Sequence, residues 1–162
     1  MASRFVYVTY IRSTPEKVWE ALIKPEFTRQ YWFGAHAASD WQTGSSWTLF
    51  GKDGKITDSG EVLEIDPPRR LVLKWRNEFV PEMKAEGYTR CAFDLTERNG
   101  VVELKITHEM ERDNAKTIAS VTGGWPIVLS GLKTLLETGT PLDMTDRAKA
   151  RREEREEAAR SG

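Results

Sequence analysis

From residue 36 to residue 108 the chain carries β signals throughout, and only after Thr122 does its hydrophobic period change from two to 3.6. That single switch limits the folds open to it. A long antiparallel run must be covered by very little helix, and one helix cannot cover so large a sheet if the sheet is flat. Antiparallel sheets twist and can curl. A sheet wrapped around the helix is therefore expected, with a space left between the helix and the concave face. Sixteen aromatic residues, six of them Trp, are available to line that space or fill it.

The elements around this run are legible in turn. Residues 4–12 (RFVYVTYIR) are β-branched and aromatic with apolar groups on both faces, which predicts a first strand covered on both sides. Thr14 is placed to cap a helix and Pro15 suits its first position. Val18, Trp19 and Leu22 form its apolar stripe, and Pro25 restarts the chain into a second short helix carrying Phe27, Tyr31 and Trp32. Strands are expected over 47–50, 56–65, 71–76, 88–98 and 101–109, with a loop over 77–87. Asn99-Gly100 is the strongest hairpin signal, because a type I′ turn needs positive φ at both central residues. Cys91, Phe93 and Leu95 share a face of one hairpin strand, and Val102, Leu104, Ile106 and His108 share a face of the other. A final helix is expected from Trp125, with Pro126 in its first turn, a stripe of Val128, Leu129, Leu132, Leu135 and Leu136, and Gly139 just past its end. Gly131 in that stripe allows close packing against the sheet or room for a ligand. The segment 146–162 holds six basic and five acidic residues and no apolar stripe, which predicts a solvated helical extension or a frayed tail with pairs such as Lys149–Glu153 and Glu156–Arg160.

Ser13-Thr14-Pro15-Glu16-Lys17-Val18-Trp19, then Trp32, then Gly60-Glu61-Val62-Leu63-Glu64-Ile65-Asp66-Pro67-Pro68-Arg69-Arg70-Leu71, then Gly124-Trp125 and Leu132-Lys133 together resemble the START-like (SRPBCC) superfamily. More narrowly they resemble bacterial relatives of the C-terminal domain of the heat-shock chaperone ATPase activator. The resemblance runs from about Phe5 to Pro141. It implies an α+β helix-grip fold: a curved antiparallel sheet of about seven strands wrapped around a long C-terminal helix, with two short helices after the first strand. On that basis the chain divides into a helix-grip domain over 1–142 and a charged extension over 143–162. Members of this superfamily bind lipids, sterols, polyketides or plant aromatics, and some are enzymes. The same fold serves many activities, so the site has to decide.

Composition excludes several classes. A chain of 162 residues suits one domain. Lys plus Arg is 24 against 25 for Asp plus Glu, without the basic surplus that nucleic-acid binding requires. No apolar run reaches the roughly 20 residues that span a bilayer, and the first twelve residues lack the pattern of a signal peptide, so a cytoplasmic protein without stable membrane insertion is expected. The single Cys91 cannot form an internal disulfide and reads as a buried core residue. His36 and His108 stand 72 positions apart with no metal-ligand spacing, so no metal is expected. Phosphate-loop, dinucleotide and nucleophile-elbow motifs are absent from the sequence, and no cofactor is expected.

Three functions remain. The first is a non-catalytic binder of a small apolar or aromatic, lipid- or polyketide-like molecule, held by Trp32, Trp47, Trp75, Phe93, His108, Trp125, Leu129 and Leu132 between sheet and helix. The second is a cyclase-, aromatase- or hydrolase-like enzyme, for which His108 is the candidate acid or base with Tyr7 or Tyr88 as a polar helper. The third is an interaction module, a chaperone partner or a homodimer using an exposed aromatic patch, with the 77–87 loop and the charged tail as natural contacts.

Overall fold

The computed structural model describes residues 2–161; Met1 and Gly162 lie outside the described residues. Seven strands form one sheet: β1 (Ser3–Ile11), β2 (His36–Ser39), β3 (Ser46–Phe50), β4 (Ile56–Asp66), β5 (Arg70–Asn77), β6 (Thr89–Arg98) and β7 (Val101–Met110). Their order is β1-β7-β6-β5-β4-β3-β2, and each neighbouring pair is antiparallel. The first strand thus pairs with the last, which sends the chain around the whole sheet. Register shifts between Leu49 and Phe50 and between Val62 and Glu64 introduce bulges, and these bend the sheet. Two short helices, α1 (Pro15–Ile23) and α2 (Pro25–Tyr31), follow β1, and the long helix α4 (Lys116–Thr138) lies in the curve. This is the helix-grip architecture. Among the described residues no helix is long and apolar enough to cross a membrane.

Local chemistry explains the element ends. The Lys17 N–H donates to Thr14 Oγ1 at 3.3 Å, and Pro15 opens α1. Asn99 and Gly100 take φ of 53° and 80°, as the β6–β7 turn requires. Gly139 closes α4 in the left-handed region at φ 85°.

Four expectations about the strands and helices need correction. The outer face of β1 is open: Val6, Val8 and Tyr10 are exposed, because no second layer covers the convex side of this edge strand. Within 77–87 lies a short helix, α3 (Pro81–Glu86), opened by Pro81 and preceded by a turn in which Asn77 Oδ1 accepts from the N–H groups of Phe79 and Val80. The third correction concerns α4, which begins at Lys116 and not at Trp125, so Pro126 stands in its interior. Its N-terminus has no capping side chain of its own. Glu86 of α3 supplies the acceptors, taking the Lys116 N–H at 2.7 Å and the Thr117 N–H at 2.9 Å. Finally, Gly131 faces neither the sheet nor a ligand: a Cβ there would lie 3.1 Å from Tyr31 Cβ, so the missing side chain lets α2 press against α4. Tyr31 is fixed in that contact by its hydroxyl, which donates to the Ala21 carbonyl at 2.7 Å.

The core sits between the sheet and α4, from Ile11 and Val18 through Phe93 and Leu104 to Leu129 and Leu132. Cys91 is fully buried in it, and burial pushes its thiol pKa well up. The segment 145–161 forms α5 (Thr145–Ser161). In it Arg160 pairs with Glu157 at 2.8 Å, not with Glu156.

Candidate functional site

Three tryptophans from three elements converge at one end of the grip. Trp32 caps the C-terminus of α2, Trp75 stands on β5 and Trp125 on α4. Trp32 stacks near Trp75 with ring centroids 6.2 Å apart, and meets Trp125 edge-on at 5.3 Å; Trp75 and Trp125 are 5.8 Å apart. Behind them Trp47 meets Trp75 edge-on at 4.7 Å. This last contact depends on Gly60, which lies between the two rings in the sheet register. A Cβ at Gly60 would fall 1.7 Å from the Lys74 carbonyl oxygen, the atom that accepts the Trp47 indole N–H at 2.9 Å.

Two spaces open from this wall. The inner one, about 60 Å³, is bounded by Trp32, Trp75, Trp125 and the carboxyl of Asp58. The outer one is half-open and about 280 Å³, with Phe33, Ala35, Leu49 and Phe79 as its apolar lining. Helix α5 lies over both, and Arg151 and Arg155 border each of them. Five basic side chains border the outer space (Lys52, Lys55, Arg151, Arg152 and Arg155) against the acidic pair Asp53 and Glu156.

The polar groups at the junction are unusual. Asp58 is buried, and its Oδ1 accepts the Trp75 indole N–H at 3.0 Å. Burial raises its pKa, opposed by the positive charge of Arg155, that hydrogen bond and Arg151. Arg151 lies against the backbone of α4, where a Cβ on Gly124 would be 2.7 Å from its Nη2. That nitrogen reaches the Ser120 carbonyl at 3.3 Å and the Ser120 hydroxyl at 3.4 Å. Burial lowers the Arg151 pKa, with the positive charge of Arg155 acting the same way. The Arg155 Nε is buried with no hydrogen-bond partner, and its guanidinium lies 5.7 Å from the centre of the Phe79 ring.

Of the eight residues expected to line a ligand cavity, Trp32, Trp75 and Trp125 do border these spaces. Trp47, Phe93, His108, Leu129 and Leu132 are instead packed in the core, outside the lining of both. The centre of the grip is filled by indole and aliphatic groups, and the open volume is displaced toward α5. His108 is fully buried. Its Nδ1 accepts the Trp125 indole N–H at 3.1 Å, which leaves the proton on Nε2 to face Thr89 Oγ1 at 2.7 Å. The Thr89 hydroxyl in turn donates to the Trp75 carbonyl at 2.9 Å. Both ring nitrogens are thus occupied, and burial holds the pKa down at about 3. Tyr88 stands on the outer face of the sheet beside Lys74 and Arg76, away from His108, and Tyr7 stacks on Phe5. Among the described residues no cluster of His, Cys, Asp or Glu could hold a metal ion.

Asp58, Arg151 and Arg155 escaped the sequence reading. Alternation from the inward Val62 through Gly60 reaches Asp58, so its placement was available from the period of β4. The two arginines are one helical turn apart, but nothing in a chain of mixed charges marks which pair docks.

Comparisons bear on the fold. The profile of the family described as Activator of Hsp90 ATPase homolog 1-like protein matches residues 12–137. No curated protein matches the sequence closely enough to count as a relative. Among solved structures the chain is similar to DynU16, from the dynemicin biosynthetic locus, at 23% identity and TM-score 0.71, covering 85% of this chain and 48% of that one. It therefore spans about half of that relative's length. CalU16 from Micromonospora echinospora is similar at 21% identity and TM-score 0.69 over 98% of this chain and 89% of that one. The Aha1 dimer from Colwellia psychrerythraea is similar at 19% identity and TM-score 0.68 over 85% of this chain and 98% of that one.

Proposed function

The chain belongs to the Activator of Hsp90 ATPase homolog 1-like family, and within that family we propose that it is a non-catalytic binder of a small apolar or aromatic molecule. The observation that carries this reading is a half-open space of about 280 Å³ lined by Trp32, Phe33, Leu49 and Phe79, adjoining an inner space of about 60 Å³ where Trp32 meets Trp75 and Trp125. An apolar lining with charged side chains at its rim is a form that small-molecule sites take. The similarity to DynU16, a protein of the dynemicin biosynthetic locus, supports a polyketide-like ligand. Burying about 300 Å² of ligand apolar surface at roughly 25 cal/mol/Å² gives about 7–8 kcal/mol before the costs of association, so micromolar affinity is expected. The enclosure of His108 argues against an acid–base role for it, since no substrate atom can approach either nitrogen without breaking the Trp125–His108–Thr89 chain. A thermal-shift screen of fatty acids, flavonoid-like compounds and polyketides tests the reading. Stabilisation by at least one class is expected, and a flat screen across all three would overturn it.

A second reading, a chaperone-linked or self-associating module, has one favouring observation: the exposed row of Val6, Val8 and Tyr10 on edge strand β1. Light scattering across a concentration series tests it, and a monomer at every concentration removes the homodimer.

A further inference from the structure

We propose that the space beneath α5 takes molecules with an apolar body and a carboxylate end, and that Arg151 and Arg155 receive the carboxylate. This narrows the binding reading above and rests on it. The two arginines come from outside the segment that matches the family, so the feature belongs to this chain's own extension.

Helix α5 lacks an apolar stripe. Its sequence from Thr145 to Ser161 has Ala as its only apolar residue type, so little hydrophobic burial holds it in place. Yet it directs Arg151 and Arg155, one turn apart, toward the body of the domain. Guanidinium groups taken out of water need acceptors. Among the described residues, neither of these guanidinium groups forms an ion pair. Arg151 has only the two long contacts to Ser120, and the Arg155 Nε has none. Asp58 is the acid on which both positive charges act, but it forms no ion pair with either and its Oδ1 is already bonded to the Trp75 indole N–H. The rim is cationic as well, since five basic groups face two acidic ones there. A planar carboxylate matches the fork of an arginine and would satisfy the donors left open. Beyond the pair, Phe33 and Phe79 lie beneath the two guanidinium groups and Trp32 continues the apolar wall, where a ring or chain would rest.

Calorimetry on the full chain with two matched pairs of probes tests the idea: 2-naphthoate against 2-naphthalenemethanol, and laurate against dodecanol. Each acid should bind at least about tenfold more tightly than its alcohol. In Arg151→Gln/Arg155→Gln the preference should vanish while the alcohols keep their affinity. The charge-retaining Arg151→Lys/Arg155→Lys variant should keep part of the preference, which separates loss of charge from a shift of α5. Equal affinity for acid and alcohol in the wild type overturns this proposal and leaves the cavity reading standing. An acid preference that survives the double Gln variant also overturns it. If none of the four probes binds, the cavity reading itself falls along with it.

Discussion

At the level of single residues, two positions decide how tightly the aromatic cluster is fixed. Gly60 leaves the space through which Trp47 reaches the Lys74 carbonyl. Gly60→Ala puts a methyl group where backbone already stands, so a cost of at least about 3 kcal/mol is expected, read from the urea midpoint. A change below about 1 kcal/mol would show that the strands part easily there. His108 predicts an acid response. Its folded pKa of about 3 lies below the ordinary 6.5, so between those values the unfolded chain binds a proton that the folded chain refuses. Stability is therefore fully present above about pH 6.5 and falls as the pH drops toward 3. From 6.5 to 5 the loss is about 2 kcal/mol, being one and a half units at about 1.36 kcal/mol each. His108→Gln should remove that part of the difference between pH 8 and pH 5; an unchanged slope would assign the acid response to the carboxylates. Residue-scale reading from sequence succeeded where alternation alone decides, as for Cys91 and His108 on their strand faces. It could not tell a core indole from a wall indole, because Trp47 and Trp75 share one face and differ only in which ring lies nearer the open end.

Among the elements, α4 and α5 depend on contacts from outside themselves. The start of α4 was not legible because its cap is Glu86, thirty residues earlier in the sequence. Burial pushes the Glu86 pKa up, but the N–H groups of Thr117 and Lys116 outweigh this and leave it below its ordinary value. Its contribution is therefore present above the unfolded carboxylate pKa and is lost as the pH falls through the folded one. Glu86→Ala should cost about 1–2 kcal/mol at pH 7, with the gap from wild type closing in acid; a gap independent of pH would mean that packing, not the cap, is lost. For α5, a chain ending at Leu142 should still unfold cooperatively, with a melting temperature lower by roughly 3–8 °C, because the helix adds little apolar burial. A melt that loses cooperativity would make α5 part of the core. The sequence did identify α5 as a possible helical extension, but a docking that rests on two arginines leaves no periodic trace.

For the whole molecule, the curl of an antiparallel sheet about one helix followed from the switch of period, while the count of seven strands was what the family likeness implied. The size of the remaining cavity did not follow, since it is the small difference between the volume enclosed and the volume of side chains that fill it. Binding in that cavity should lower the heat capacity, because apolar surface leaves water on both partners. Calorimetry with laurate at three temperatures is the check, and a binding enthalpy independent of temperature would point to an ion on the rim and nothing deeper. One consequence of the convergence of indoles reaches beyond the fold. Trp32, Trp75 and Trp125 have ring centroids within 6.2 Å of one another and border the inner space directly. Light absorbed by any one of them passes readily among neighbours so close, and the emitted colour reports the polarity of the compartment they border. The purified protein thus carries a built-in optical gauge of its own occupancy, without dye or tag.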